Sequence, residues 1–506
     1  MLKSRPLFHN PSGWFEYLTA IMKIPPVSGL LLVLGLFLLL AACGETPAPV
    51  PATSPEIPTI TSTLPAITAT STAIPTPEPA PTLGIDPQEL QGITVTFWHP
   101  WSGAAGEAIR ASVEAFNETN EYGIQAVEVY QGTYNSLYEK IEDAISTGSS
   151  PDLVVGYLDQ LLSWKDGWVD LEPYVNDRDW GLAAEEQADF FDVFWDQDIV
   201  DGNRVGFPAQ RSAQLLFYNL SWSRELGYDS PPQTPVQLKG QACAATQANL
   251  ADDDPENNGT GGWIVNTTPQ GMLSWLYAFG SEVSLPDGSG YRFDDPQSAA
   301  ALNFLKDLFD NGCAWKTRKS DAGEGLAEGE FVEAEFAARQ ALLITGSLGD
   351  LSHQTAALEL AGNRDEWTVI PFPSPENQPA IYIYGPSFAV FQSSPAKQLA
   401  AWLLVRWLAS PAEQARFIRA SDTFPTRAAA VEHLNDYADS HPQWAAALEL
   451  IPLARTEPRY ASWRVVRWVI GDVGTQVFRS YFSADRIPAT LELMDETAAE
   501  LHSRFP

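Results

Sequence analysis

The stretch that decides the fold reads ITVTFWHPWSG and occupies residues 93–103. Apolar residues at 93, 95 and 97 alternate with threonines, as in a strand with one buried face. Helical spacing follows over 109–116, a second strand over 127–129, a second helix over 137–144 and a third strand over 151–156. This β-α-β-α-β order predicts an α/β fold with a parallel sheet and helices on both faces.

Ligands of such sheets bind beyond the carboxyl ends of the strands. The loop after the first strand carries Trp98, Trp101 and Ser102, and Tyr157 follows the third strand. Aromatic rings suit the apolar faces of sugars, and placed polar groups suit their edges. We therefore predict these four residues as ligand-binding residues, while packing in a core is the competing explanation for each tryptophan.

Composition narrows the class of protein. A chain of 506 residues is long enough for two lobes once its non-globular segments are set aside. Its 64 Asp and Glu against 30 Lys and Arg give a net charge of −34, which excludes nucleic acid as a partner. No catalytic triad order, nucleophile elbow, phosphate loop or zinc spacing is present, so we expect neither a cofactor nor a metal.

The N-terminal region predicts export and anchoring. An apolar run over 27–40 follows basic residues and is short for a membrane-spanning helix, which needs about 20 residues. It ends in LAACG at 40–44, which resembles a bacterial lipobox with Cys43 as the lipidated residue. We predict a signal peptide over 1–42, a Thr/Pro-rich tether over 43–90 and an extracytoplasmic protein held to the membrane by its lipid. An uncleaved anchor is the alternative.

Two further features concern cysteines and acidic residues. Cys243 and Cys313 could form one disulfide outside the cytoplasm. The acidic run over 252–259 offers the oxygen ligands that calcium takes, but its spacing is not that of an EF-hand. A solvated acidic loop is the favoured interpretation of that run.

From Gln91 to its end, the chain resembles the family-one extracellular solute-binding proteins, which include maltose-binding protein. The resemblance is carried by runs whose order and spacing are specific together: TFWH at 96–99, FP at 207–208, LFYN at 216–219, ALLITG at 341–346, SFAVF at 387–391, SPAK at 394–397 and FPTR at 424–427.

The resemblance implies a type II periplasmic-binding-protein-like fold, with two lobes, a hinge and a cleft between the lobes. The implied lobes are 91–209 with 385–430, and 210–384 with 431–506. It also implies the function: a monomer, not an enzyme, that captures a small ligand in the cleft and delivers it to the permease subunits of an ABC importer. A sugar or oligosaccharide is the expected ligand.

The resemblance also implies candidate residues for the ligand site. Ser212 stands where maltose-binding protein has an acidic sugar-binding residue, so a maltodextrin ligand is in doubt. Gly346 and Ser347 replace a turn that usually carries a stacking ring. The remaining candidates on this basis are Gln210 and Arg211 after the crossover strand, Trp275 and Trp463 as aromatic walls, and Tyr384 and Asp422 as further cleft residues.

Two other functions stay open at this point. An anchored carbohydrate-active hydrolase would need two carboxylates about 5–10 Å apart across a sugar cleft. Carboxylates that face each other there with raised pKa values would favour it. A ligand sensor or adhesin could use the same fold on the same tether.

Overall fold

The structure is a computed structural model that describes residues 82–164, 167–317 and 329–505. The predicted signal peptide, Cys43 and most of the predicted tether lie outside the described residues.

The strands follow the alternation of buried and exposed residues. β1 buries every second residue, since Val95, Phe97 and His99 point to the interior. In chain order the strands are β1 (Thr94–His99), β2 (Gln125–Tyr130), β3 (Leu153–Gly156), β4 (Ile199–Val200), β5 (Asn203–Arg204), β6 (Phe207–Pro208), β7 (Ser212–Asn219), β8 (Gly261–Ile264), β9 (Ala314–Trp315), β10 (Ala341–Ser347), β11 (Trp367–Ile370), β12 (Ile381–Tyr384), β13 (Ser387–Val390) and β14 (Ala454–Arg455).

The helices carry apolar faces at helical spacing, as α1 does with Ile109, Val113 and Phe116. They are α1 (Gly103–Thr119), α2 (Tyr134–Thr147), α3 (Leu158–Ser163), α4 (Glu172–Val175), α5 (Ala184–Ala188), α6 (Asp192–Trp195), α7 (Leu220–Glu225), α8 (Pro235–Ala251), α9 (Pro269–Ala278), α10 (Pro296–Asp310), α11 (Gly329–Ala337), α12 (Leu351–Ala361), α13 (Pro395–Leu408), α14 (Pro411–Ile418), α15 (Ala429–Glu432), α16 (Asn435–Ser440), α17 (Pro442–Leu448), α18 (Trp463–Val477) and α19 (Ile487–Arg504).

One sheet contains the three strands that the pattern over residues 93–156 predicts. Its order is β2-β1-β3-β13-β6, and β1 pairs in parallel with both β2 and β3. The predicted β-α-β-α-β unit is therefore confirmed. The expectation of a parallel sheet is incomplete, because β13 joins antiparallel to β3 and to β6. That strand comes from more than 200 residues further along the chain, so local patterning could not place it.

A second sheet has the order β14-β12-β7-β10-β8-β9, with β11 also paired to β7. Its central strand β7 is buried on both faces. Leu216 and Tyr218 enter one hydrophobic core, whereas Leu215 and Phe217 enter another. Because side chains alternate along a strand, one continuous apolar strand supplies both layers. The first sheet has a separate core that also includes α13. The fold is thus α/β and two-lobed, as predicted.

Two adjacent chain segments connect the sheets. One runs from β6 to β7 through residues 209–211, and the other runs from β12 to β13 through 385–386. Ser212 pairs with Tyr384 on one side of this crossing, and Phe207 pairs with Phe388 on the other. A Cβ on Gly385 would lie 2.3 Å from the carbonyl oxygen of Gln210, so only glycine permits this close approach.

Among the helices within the described ranges, none has the length and apolar character needed to cross a membrane.

Candidate functional site

A cavity of about 170 Å³ lies between elements of the two lobes. The first lobe contributes the start of α2 and the segment after β3. The second contributes the start of α9, strand β12, the segment before α18 and α18 itself. The lining residues are Tyr134, Asn135, Tyr157, Gln160, Gln270, Tyr382, Tyr384, Glu457 and Arg467.

Two tyrosines form the wall on the side of the first lobe. The rings of Tyr134 and Tyr157 lie 4.9 Å apart, centre to centre, in a tilted arrangement. The hydroxyl of Tyr134 accepts hydrogen bonds from Trp101 Nε1 at 3.1 Å and from Gln210 Nε2 at 3.3 Å. Burial raises the pKa of both tyrosines, so both hydroxyls stay protonated and can hydrogen-bond to a neutral ligand.

Two more tyrosines face them from β12. Tyr382 and Tyr384 point to the same face of the strand because they are two residues apart. Their rings stack at 5.3 Å. The Tyr384 hydroxyl interacts with the side chains of Ser212 and Ser347, and burial raises its pKa to about 12. Four protonated tyrosines therefore surround one small space.

A buried carboxylate lies beside these rings. Glu457 is 3% exposed, and its Oε2 accepts hydrogen bonds from the Tyr382 hydroxyl at 3.1 Å and from Trp463 Nε1 at 3.2 Å. Burial and then the negative charge of Asp159 raise the pKa of Glu457 to about 8, while Arg467 opposes the shift. Burial also raises the pKa of Asp159, which is 2% exposed. Both burial and the neighbouring negative charge thus favour the protonated form of Glu457.

Two polar atoms at the cavity have no partner among the described residues. They are Oε1 of Glu457 and Nε of Arg467, and both are buried. Buried polar atoms are nearly always hydrogen-bonded, so two such exceptions in one cavity indicate a position for ligand hydrogen bonds. Just outside the cavity, the Arg464 guanidinium lies 4.7 Å from the centre of the Tyr138 ring. This contact joins α18 of one lobe to α2 of the other.

The structure brings together some of the predicted site residues. Tyr157 and Tyr384 line the cavity. Five others contact a lining residue from behind: Trp101, Gln210, Ser212, Ser347 and Trp463. They hold the tyrosines and Glu457 in place rather than forming the wall.

Other predicted residues lie elsewhere. Arg211 is fully buried and pairs with Asp198 at 3.0 Å, so its charge is already compensated. Trp275 is fully buried against Trp263 and Phe372 in a core. Trp98 packs, half-buried, against the core of the first sheet.

Three further candidates also lie outside the lining. Ser102 is exposed at the start of α1, and its side chain makes no capping hydrogen bond. A Cβ on Gly346 would lie 2.8 Å from the ring of Phe217, so this glycine serves packing. Asp422 hydrogen-bonds to Tyr437.

Sequence reasoning missed most of the polar lining. The missed residues are Tyr134, Asn135, Gln160, Gln270, Tyr382, Glu457 and Arg467. The IYIY run over 381–384 could have indicated Tyr382, because two tyrosines at period two share a face. No local pattern distinguishes Glu457 or Arg467 from other charged residues.

Cys243 and Cys313 form a disulfide, with their Cα atoms 4.4 Å apart. The acidic loop is held by hydrogen bonds within itself, such as those from Asn257 and from the amide of Asp254 to the Asp252 carboxylate. Over the described part of the chain, no group of three or more His, Cys, Asp or Glu side chains is placed to hold a metal ion.

Comparison with solved structures shows the same fold. The sugar-binding protein MalE of Xanthomonas citri matches with a TM-score of 0.69 and 22% identity, over 81% of this chain and 98% of that chain. The cyclic alpha-maltosyl-1,6-maltose binding protein of Arthrobacter globiformis matches with a TM-score of 0.66 and 20% identity, over 81% and 99%. UgpB of Mycobacterium tuberculosis, in complex with glycerophosphocholine, matches with a TM-score of 0.62 and 18% identity, over 81% and 98%.

A search among curated proteins found no match. A family model described as bacterial extracellular solute-binding protein matches residues 111–449, which is more than half of the chain. This match covers β2 to β13 and so includes both crossing segments and much of the cavity. The chain belongs to the bacterial extracellular solute-binding proteins.

Proposed function

We propose that this protein captures a neutral, hydroxyl-rich solute, a sugar or short oligosaccharide, in the cavity between its lobes. The observation that carries the proposal is the cavity itself. Four protonated tyrosines surround a space in which Glu457 Oε1 and Arg467 Nε are buried and have no partner among the described residues. Sugars present apolar ring faces to aromatic side chains and hydroxyl groups to such polar atoms. The sugar ligands named for the Xanthomonas and Arthrobacter proteins support this choice of chemistry.

The division into lobes at 209/210 and 384/385 is part of the proposal. It is supported by the two crossing segments, 209–211 and 385–386, at which the chain passes from one sheet to the other. Closure about these segments would bury the ligand and present one face to the permease of an ABC importer. We expect the protein to act as a monomer.

Export and anchoring complete the proposed function. The LAACG run at 40–44 supports lipidation at Cys43, and the Thr/Pro-rich segment after it supports a tether. Mass spectrometry of the membrane fraction would detect a lipid-modified peptide beginning at Cys43. A chain recovered with residues 1–42 intact would contradict cleavage.

Glycoside hydrolysis is a second candidate, which one observation favours. Glu457 lines the cavity, Asp159 is also buried, and the negative charge of Asp159 contributes to raising the pKa of Glu457. Glycosidases use a pair of carboxyl groups, of which the general acid has a raised pKa and the other stays ionised. Against it, Glu457 Oε2 is already held by Tyr382 and Trp463, and the chain belongs to a family of binding proteins.

A thermal-shift screen separates these functions. The chain from residue 43 onward, with Cys43→Ser, is heated with sugars, polyols, amino acids and short peptides. A ligand that binds only the folded state at 100 times its Kd adds about 2.7 kcal/mol of stability. We expect a shift with one class of sugar, and chromatography should return that sugar unchanged. Cleaved sugar, lost in Glu457→Gln, would instead establish the hydrolase, and a shift with amino acids alone would exclude sugar binding.

A further inference from the structure

One tryptophan near the cavity is exposed. In the described residues Trp468 is the only tryptophan whose side chain is exposed, at 57%, whereas every other one is buried or half-buried. Single exposed apolar residues are common on protein surfaces, so exposure alone assigns no role to it. A role in ligand binding is supported by the position of Trp468 relative to the cavity.

Trp468 lies on α18, one turn after a residue that meets the cleft and one turn before a residue that packs beside the helix α9. One turn earlier, Arg464 contacts Tyr138 of the opposite lobe. One turn later, a Cβ on Gly471 would lie 3.1 Å from the carbonyl oxygen of Thr267, just before the helix that carries the cavity-lining Gln270. Residues three and four apart share one side of a helix, so Trp468 faces the rim of the cleft.

Arg467 connects this indole to the cavity. Its side chain lines the cavity, and its guanidinium carbon lies 5.8 Å from the centre of the Trp468 ring. A ligand that extends out of the cavity past Arg467 would therefore reach the exposed indole.

The size of the cavity makes such an extension necessary for a longer sugar. At about 170 Å³ it is smaller than the roughly 300–1,000 Å³ pockets that enclose drug-sized ligands. A ligand with several sugar rings would therefore extend beyond this space.

We propose that Trp468 forms an outer subsite, on which the second ring of a di- or oligosaccharide stacks while the first ring occupies the tyrosine-lined cavity. This inference rests on the proposed sugar-binding function and adds the length of the ligand. Stacking on an indole contributes about 0.5–1.5 kcal/mol, which corresponds to about a 2- to 13-fold change in Kd.

Calorimetric titration with matched series tests the subsite. The probes are glucose, maltose and maltotriose, together with the mono-, di- and trisaccharides of xylose and of mannose. The proteins are the Cys43→Ser chain from residue 43, its Trp468→Ala and Trp468→Phe variants, and Tyr481→Ala. Tyr481 is a matched control because it is 71% exposed and lies beyond the far end of α18 from Arg464.

We expect Trp468→Ala to weaken di- and trisaccharide binding about 3- to 10-fold and to leave its affinity for monosaccharides close to that of the parent. Trp468→Phe and Tyr481→Ala should bind all of the sugars with affinities close to those of the parent. Equal losses for mono- and disaccharide, or no loss for either, would overturn the subsite but leave sugar binding standing. Unchanged affinities with reduced sugar uptake in cells would also overturn it and assign Trp468 to the importer interface. If no sugar binds the parent protein, the proposed function and the subsite are both wrong.

Discussion

The guanidinium of Arg464 lies 4.7 Å from the centre of the Tyr138 ring, across the cleft between the two lobes. Tyr138 packs against the core of the first sheet, whereas Arg464 lies on α18, which packs into a core of the second sheet. Arg464 also acts electrostatically on the buried Asp159 of the first lobe. Because the contact joins the two lobes, separating them would break it, and its removal should favour an open form.

Arg464→Ala should shift the protein toward an open form and weaken ligand binding about 2- to 30-fold, the range of cation–π energies. Tyr138→Leu should have a similar effect, and the double variant should lose little more than either single variant. Calorimetry with the sugar found by thermal shift measures the loss of affinity. Small-angle scattering of the ligand-free protein measures the shift toward an open form. Arg504→Ala is the control, because its exposed partner Glu500 lies on the same helix. Fully additive losses would contradict a direct contact.

The stability of the ligand-free protein should depend on pH through Glu457. Burial raises its pKa from an ordinary 4.5 to about 8. Between these values the folded state keeps a proton that the unfolded state releases, so stability is fully present below pH 4.5 and is lost as pH rises through about 8. The slope is at most about 1.4 kcal/mol per pH unit.

Urea unfolding at pH 5, 6, 7 and 8 measures this dependence. Glu457→Gln should remove its contribution, so the parent should lose stability relative to the variant as pH rises. Asp159, whose pKa is also raised, contributes a remaining slope of the same sign. A difference between parent and variant that is constant over this range would show that Glu457 does not titrate there.

Arg211 should stabilise the folded protein rather than contact the ligand. It is fully buried, and it bonds Asp198, Gln197 and the carbonyl oxygen of Pro386 at the crossing between the sheets. Arg211→Ala would leave the Asp198 carboxylate buried without its cation, and we expect a loss of about 3–5 kcal/mol in the free energy of unfolding.

Urea denaturation at neutral pH tests this loss. Arg178→Ala is the matched control, because Arg178 pairs with Asp179 on an exposed surface and should cost less than about 1 kcal/mol. A small loss in the free energy of unfolding for Arg211→Ala, together with a large loss of ligand affinity, would instead indicate that Arg211 contacts the ligand.

The disulfide should stabilise the second lobe by reducing the chain entropy of the unfolded state. Cys243 and Cys313 are 70 residues apart in the sequence, and closing a loop of that length removes chain entropy equivalent to about 4 kcal/mol. The Cys243→Ser, Cys313→Ser double variant should therefore unfold at lower urea concentration than the parent. Reductant should lower the parent to the same midpoint and leave the double variant unchanged. A parent midpoint that does not respond to full reduction would contradict this role.

The sequence by itself determined the elements whose pattern is local. The alternation over 93–97 predicted β1, and the helical spacing after it predicted α1, because burial of one face imposes a period on each element. The two-lobed fold, in contrast, was implied by the resemblance of the ordered runs to the solute-binding family. Tyr157 was found because it follows a strand that the pattern had located, whereas Tyr384 was proposed from the family resemblance.

Only the tertiary structure decided which side chains face the ligand. Trp275 and Tyr382 are both aromatic residues in apolar runs, yet one is enclosed by Trp263 and Phe372 and the other lines the cavity. Glu457 differs from the many exposed glutamates because Tyr382 and Trp463 hold it in a buried position. Such a role depends on a neighbour, Tyr382, that is far from Glu457 in the sequence and meets it only in the folded lobe. Local pattern predicts whether a residue is buried, but the tertiary arrangement determines what it is buried against.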